Sequence, residues 1–443
     1  MENKRVTDSL STVQWFIFLL ANAVALPIVI GGIFQLSFEQ ISTLMQRTFF
    51  VVGISSFIQG CFGHKYPIAD GPAGSWVSIF VILGNLAFIQ GQDQMYTLQI
   101  LEGGLIVAGL LLFVLGTTGL VYRLQFLFTP LVSGSFLFIL ALQLSGVLIK
   151  GMLGLQGTSA EPDVMAALIS FFIFGLVIFL SIKGRGWISS YAVLIGIGLG
   201  SALFAAFGKV GPTFTDSTPV LKFPHIFAWG VPQFDLGIVI TSLLFTFLLV
   251  SNTISSISAI KQVVLVVPKD EKTALSRGIW TGGISHILAA LFSTIGVVPL
   301  PASAGFMKLT GQKRIRPFLM ACMLLTVIAL MPSVVNVLAL LPAPVASAAL
   351  LATFVQIVGI AFQSLLQEQL DHRRLTILGI TLLVSIGLMF LPPAVFQSLP
   401  PTLRYICSNG LLVGTILAML LEQLWKGEKK ISIIANYDAT QKR

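Results

Sequence analysis

Few side chains in this 443-residue chain could do chemistry deep in apolar sequence, and those that could are uncharged: Asn22, Ser75, Asn252, Ser255, Ser256 and Ser303, with Trp76 beside Ser75. An Asn offers one acceptor and two donors in a single plane, and each Ser adds one hydroxyl. That equipment suits recognition of the edge of a planar polar solute, with Trp76 as a stacking surface. Each residue also has a packing role open to it, because Asn and Ser within a membrane often bond a neighbouring helix and aromatic residues often sit at its interface.

Two short stretches accompany this set, "DGPAGSW" (Asp70 to Trp76) and "PLPASAG" (Pro299 to Gly305). Proline removes a donor and glycine loosens the backbone, so both stretches break a helix. At membrane depth, such backbone survives only where it is buried in protein or lines a cavity. Helices restarting after the breaks, near Ser75 and Gly305, would aim their partially positive N-termini into that cavity. Gly74, Ala302 and Gly305 are therefore expected beside the polar set. Interrupted segments at corresponding positions of two halves mark a midplane binding site.

Other chemistry is poorly supplied. Four scattered histidines (His64, His225, His286, His372) form no HExxH, and three distant cysteines (Cys61, Cys322, Cys407) form no CxxC, so neither a metal nor a cofactor is expected. An intramembrane enzyme would need a nucleophile-base pair, a carboxylate pair or a metal cluster. His286 is expected to be a hydrogen-bonded helix residue and Lys308 to snorkel to the interface.

The elements holding these residues follow from composition. With 56% hydrophobic and 10% charged residues and a mean hydropathy of +0.94, the chain is an all-α polytopic membrane protein. Apolar runs of spanning character fall at 13–34, 41–62, 67–89, 99–121, 124–148, 164–182, 188–208, 236–260, 274–296, 299–310, 315–338, 341–366, 375–397 and 405–425, which makes fourteen segments. The N-terminus lacks a cleavage pattern, so the first run reads as a retained helix. With both termini in the cytoplasm, 21 of the 26 Lys and Arg lie inside, and only Arg47, Lys150, Lys209, Lys222 and Arg404 fall outside. The net charge of +9 is thus an orientation signal, and the tail "KGEKK" suits anionic lipid rather than nucleic acid. The longest polar connections cover 150–163 and 209–234.

Internal repetition supports two halves. "FLLANAVALP" matches "FLLVSNTISS", and the two breaker motifs match each other; Asn22 and Asn252, like Ala73 and Ser303, are 230 residues apart. Seven segments per copy is an odd number, so the copies, 1–230 and 231–443, would be inverted in the membrane.

"GFMKLTGQKRI" (Gly305 to Ile315) resembles the signature of the nucleobase:cation symporter-2 family, also called nucleobase-ascorbate transporters or uracil/xanthine permeases, and "GHKYPIADGPAGSWVSI" (Gly63 to Ile79) is similar to that family's third segment. "ANAVALPIVIG" and "SNTISSISAIKQVV" fit its first and eighth helices, so the resemblance covers essentially the whole chain. It looks closest to purine permeases of Gram-positive bacteria. The resemblance implies a core domain of segments one to four and eight to eleven (about 13–121 and 236–338). Short antiparallel strands in segments three and ten would carry the breaker motifs. A gate domain of segments five to seven and twelve to fourteen (about 124–208 and 341–425) would move against the core.

The resemblance further implies a cell-membrane transporter importing a nucleobase, most nearly a purine such as xanthine, with protons as the candidate coupling ion and a homodimer through the gate. Asn22 would be the first-helix polar residue. Asn252 stands where the family's eighth helix usually has a binding glutamate, Ser256 near a histidine of some members, and Ala302-Ser303 where Glu or Gln often precedes the glycine. Proton coupling therefore lacks its usual carboxylates. The acids nearest membrane depth, Asp70, Glu102 and Asp235, are each expected near a segment end. Two further readings stay open: an anion transporter of the related sulfate-permease fold, for which opposed helix N-termini would also serve, and a membrane sensor that transports nothing.

Overall fold

The computed structural model describes residues 2–155, 161–185, 187–209, 219–261, 263–264, 271–396 and 398–425. The tail "KGEKK" and parts of both long connections, 156–160 and 210–218, lie outside them. In chain order the helices are α1 (Glu2–Ile33), α2 (Phe38–Cys61), α3 (Gly74–Gln90), α4 (Gln94–Thr118), α5 (Val121–Leu124), α6 (Pro130–Met152), α7 (Val164–Lys183), α8 (Trp187–Ser190), α9 (Ala192–Ala206), α10 (Leu236–Lys261), α11 (Glu271–Leu291), α12 (Ala302–Thr310), α13 (Ile315–Ala329), α14 (Pro332–Ala339), α15 (Ala343–Leu365), α16 (His372–Phe390), α17 (Pro401–Cys407) and α18 (Gly410–Leu424). Strand β1 (Asp70–Pro72) precedes α3, and β2 (Val297–Pro299) precedes α12. Several helix starts follow local chemistry: Ser37 and Gln40 form a reciprocal capping box on α2, and the side chains of Thr129, Asp163, Asp371 and Asn409 accept from first-turn amides of α6, α7, α16 and α18.

Each of the fourteen apolar runs contains a helix, but they are not fourteen equal crossings. Among the described residues, eight helices are long and apolar enough to cross a membrane, and nine spans result if α13 and α14, bent by 91° at their junction, count as one. Pro332 at that junction has no amide with which to continue the α13 ladder. Segments three, seven, ten and fourteen hold shorter helices. In three and ten the length is lost to the breaker motifs, whose backbone leaves the helix to form strands. Helices restart at Gly74 and Ala302, slightly ahead of the expected Ser75 and Gly305.

The packing exchanges partners between the halves. Helix α1 lies on α13 while α10 lies on α4; α2 lies on α13 while α11 lies on α4; α6 lies on α16 and α18 while α15 lies on α7 and α9; and α6 and α15 pack on each other. Reciprocal exchange of this kind is what a two-fold axis between inverted repeats produces.

The strands sit on the same symmetry. They pair antiparallel, with Asp70 opposite Pro299, Gly71 opposite Val298 and Pro72 opposite Val297. Beyond the strand ends, Leu300 N donates to Ala69 O at 2.8 Å and Ala73 N donates to Gly296 O at 2.8 Å. A shift of 230 residues turns the pair Asp70 and Pro299 into Leu300 and Ala69, which are also paired. Short two-stranded sheets are marginal alone; this one is held by α1, α2, α10 and α11 around it.

The ends of the molecule are distinct. Arg314, just before α13, pairs with Asp8 at the start of α1, and Lys313 Nζ donates to Val263 O at 2.8 Å. At the far end of α13, Lys222 N donates to Leu330 O at 2.9 Å, and Gln46 Nε2 donates to Lys222 O at 2.8 Å. The basic turn and Lys222 thus occupy opposite ends, as the charge alternation requires.

Candidate functional site

A cavity of about 180 Å³ opens where the two restarted helices face each other. Its walls are Pro72, Gly74 and Ser75 from the first motif, Val298, Leu300, Pro301, Ala302 and Gly305 from the second, Asn22 of α1, Asn252 of α10, and the rings of Phe18, Phe306 and Phe354. Residues 230 apart, Asn22 and Asn252, therefore reach one space. A neighbouring cleft of about 750 Å³, lined by Ser255, Lys308, Lys313 and Gln363, shares Pro301, Ala302, Gly305 and Gln356 with the cavity. Through it the cavity opens toward the end where α1 begins.

The polar groups divide into those already bonded and those left over. Asn252 Nδ2 donates to Pro299 O at 2.9 Å, while no described residue donates to its Oδ1 acceptor. Asn22 Nδ2 donates to Phe18 O of its own helix at 2.8 Å. The opening amides of α3 at Gly74 and Ser75 have no intrahelical acceptor and carry the positive end of the helix dipole, whereas at α12 Ser303 N donates to Leu300 O at 3.1 Å and Ala304 N to Pro301 O at 3.0 Å. The cavity therefore offers acceptors from Asn side chains and donors from backbone, over apolar walls.

Gly74 and Gly305 serve differently. A Cβ on Gly74 would lie 3.2 Å from Leu144 and 3.3 Å from Phe354, so this glycine lets the Phe354 ring of α15 approach the helix start. A Cβ on Gly305 would meet nothing within 4 Å. Gly305 leaves space open to the cavity instead.

Four residues of the expected set do not line the cavity. Trp76 is fully buried behind α3, its ring 4.7 Å from Phe245 and within reach of His286 at 6.1 Å; Gly296 makes room for it, since a Cβ there would sit 2.5 Å from the indole. Two residues beyond Gly74, the helical turn has carried the side chain to the opposite face. Ser256 donates to Pro299 O at 2.7 Å and Ser303 Oγ accepts from Ala69 N at 3.1 Å, so both hydroxyls hold strand backbone. Ser255 belongs to the adjoining cleft.

The aromatic walls of the cavity are instead phenylalanine: Phe18 and Phe306 lie 4.6 Å apart with planes inclined by 32°. Thr353, Phe354 and Gln356 of α15 also line the cavity. Gln356, a polar side chain in the middle of an apolar run, was visible in the sequence as such; the phenylalanines were not, among 34 of them. Of the three acids expected near segment ends, Asp70 opens β1 and Asp235 caps a helix, accepting from Ile238 N at 2.8 Å, while Glu102 lies within α4; Asp70 and Glu102 are fully buried. His286 bonds Gly282 O through Nδ1 at 2.8 Å, as a helix histidine should.

Inverted repeats of membrane helices, with paired strands and half-helices enclosing a midplane cavity, define a secondary-transporter fold. Solved structures share it: the transmembrane domain of a cyanobacterium bicarbonate transporter, BicA (TM-score 0.61, 13% identity, 94% of this chain and 97% of that one), and SLC26A9 (TM-score 0.62, 12% identity, 95% and 66%). At such identities the likeness is one of fold alone. The model of the Permease family for xanthine and uracil permeases matches residues 7–394, and the chain belongs to that family. Its relatives include "Putative purine permease YwdJ" of Bacillus subtilis (strain 168), 31% identical over 96% of this chain and 98% of its own length. "Uric acid permease PucK" and "Xanthine permease" of the same organism are 23% and 22% identical, over 93% and 92% of this chain and 94% and 91% of theirs.

Proposed function

We propose that the chain imports an oxidised purine such as xanthine or uric acid across the cell membrane by alternating access. One observation carries the reading: in a member of the Permease family, the two breaker motifs meet as a strand pair whose helix starts and Asn252 bound a single small cavity. A lactam edge carries alternating C=O and N–H groups. Backbone donors at Gly74 and Ser75 suit the former, and Asn252 Oδ1 suits the latter. Asn22, Ala302 and Gly305 complete the walls, Phe18 and Phe306 stack the ring, and Ser256 and Ser303 hold the strands that position these groups. The core (segments one to four, eight to eleven) rocks against the gate (five to seven, twelve to fourteen), with Phe354 and Gln356 contributed by the gate. Both termini are cytoplasmic, the conformation is open inward through the Lys308 cleft, and two copies associate through their gates.

The test is uptake of radiolabelled xanthine, uric acid, hypoxanthine, guanine, adenine and uracil into cells lacking their own permeases, for wild type and Asn252→Ala. Uptake of an oxidised purine, abolished by Asn252→Ala, is the expected result. A well-expressed wild type that moves none of the six refutes the reading.

A further inference from the structure

Behind the strands, on the side away from the cavity, a carboxylate sits where none is needed for packing. Asp70 is 1% exposed. Its Oδ2 contacts Ser55 Oγ of α2, and its Oδ1 has no partner. Ser55 Oγ also lies 2.6 Å from Ser285 Oγ of α11, and Ser285 Oγ donates to Thr281 O at 3.0 Å. Asp70 N meanwhile donates to Ser56 Oγ at 2.9 Å.

Every element around Asp70 lacks a partner cation. Helix α1 has no titratable side chain beyond Asp8, β2 has none, α2 presents Ser55 and Ser56, α11 presents Ser285 next to His286, and α13 presents the Cys322 thiol. The ring of His286 is bonded within its own helix, and His64, in the loop ahead of β1, accepts from Tyr66 N at 3.1 Å. Among the described residues Asp70 forms no ion pair. A buried ionised carboxylate without a cation is expensive.

Only one hydroxyl, Ser55 Oγ, reaches the carboxyl, and Oδ1 has no partner among the described residues. A buried carboxylate with a single donor and no cation is costly to keep ionised, so the neutral acid, whose own proton can serve Ser55, is the form this surrounding suits.

We propose that Asp70 is the proton-carrying carboxylate of transport: neutral in this conformation, it releases its proton to water, as the carboxylate forms, in the conformation where movement of the core against the gate admits water behind the strands. The coupling is mechanical, because Asp70 opens β1 and is paired with Pro299, whose carbonyl holds Asn252. Gain or loss of charge on Asp70 therefore acts directly on the strand that faces Asn252. An intramembrane carboxylate that changes charge in this way is a proton relay, and it stands in for the acids absent at Asn252 and Ala302. The proposal rests on the transport reading above.

Two measurements on the full-length protein test it. The first is infrared difference spectroscopy of wild type against Asp70→Asn, with Glu102→Gln as the control for the other buried acid. A carboxylic-acid C=O band that shifts in deuterium oxide and is lost only with Asp70→Asn is expected; its absence from wild type overturns the proposal whatever the substrate. The second uses proteoliposomes and labelled xanthine. Wild type should accumulate xanthine when the inward pH gradient is imposed and lose accumulation with a protonophore. Asp70→Asn, which keeps a donor toward Ser55, should retain exchange of labelled for unlabelled xanthine but lose gradient-driven accumulation by about tenfold or more. Accumulation by Asp70→Asn equal to wild type, or wild-type uptake indifferent to the gradient, overturns it. If wild type moves no base at all, the nucleobase reading falls by itself, and the infrared band still decides whether Asp70 holds a proton.

Discussion

Ser55 and Ser285, 230 residues apart in the chain, meet oxygen to oxygen at 2.6 Å. The same interval relates Asn22 to Asn252 and Ala73 to Ser303, so equivalent positions of the two repeats touch each other here. Only residues beside a two-fold axis can do that.

The contact should therefore be cooperative. Ser55→Ala and Ser285→Ala each leave a buried polar partner short of a bond and should cost about 1–3 kcal/mol, while the double variant should cost clearly less than their sum. Thermal unfolding in detergent measures the coupling; strictly additive losses would mean the oxygens are merely neighbours.

Asn252 and Ser256 both hold Pro299 O, yet only Asn252 reaches the cavity. Ser256→Ala should lower stability by about 1 kcal/mol and leave the affinity for base within a few-fold. Asn252→Ala should cost similar stability but reduce uptake by about tenfold or more, because a solute donor loses its acceptor as well. Binding and melting measured on the same preparations separate the two.

Glycines 305 and 283 predict opposite failures. A side chain at Gly305 meets open space, so Gly305→Val should fold normally and raise KM by narrowing the cavity. At Gly283 a Cβ would come within 2.6 Å of Gly109 O and Phe113 N, both backbone. Gly283→Val should separate α4 from α11 and reduce the folded yield, which size-exclusion profiles of the expressed protein would report.

Trp76 and Phe306 form a similar contrast. Trp76→Ala empties a buried site against Phe245 and should cost about 3–5 kcal/mol of stability, with little change in substrate specificity among molecules that fold. Phe306→Ala should chiefly raise KM. Equal effects of both on KM would put the indole back at the substrate.

Outside the membrane segments, Lys209 and then the Ala166 amide hold the Asp163 carboxyl below its ordinary range. A carboxyl depressed in the folded state stabilises above its unfolded pKa, and that contribution disappears as pH falls through the folded value. Both groups are well exposed, so solvent screening limits the effect to about 1 kcal/mol or less. Asp163→Asn should lower the melting temperature slightly at neutral pH, and the difference from wild type should vanish in acid.

The sequence by itself determined the class and the inverted repeat, and it pointed to the two motifs that line the candidate site. Hydropathy, the alternation of Lys and Arg, and Pro and Gly at matched positions are local signals, and each acts where it is written. The structure forms strands in segments three and ten and brings Asn22, Gly74, Ser75, Asn252, Ala302 and Gly305 around one cavity. The tertiary structure alone decided which way each side chain faces. Trp76 and Ser75 are adjacent in sequence, but the 100° step of a helix puts one against Phe245 and the other on the cavity. Phe18 beside Phe306, and Asp70 opposite Pro299, were placed by packing across the two-fold axis, where residues more than 200 apart are brought together, and composition cannot encode that meeting.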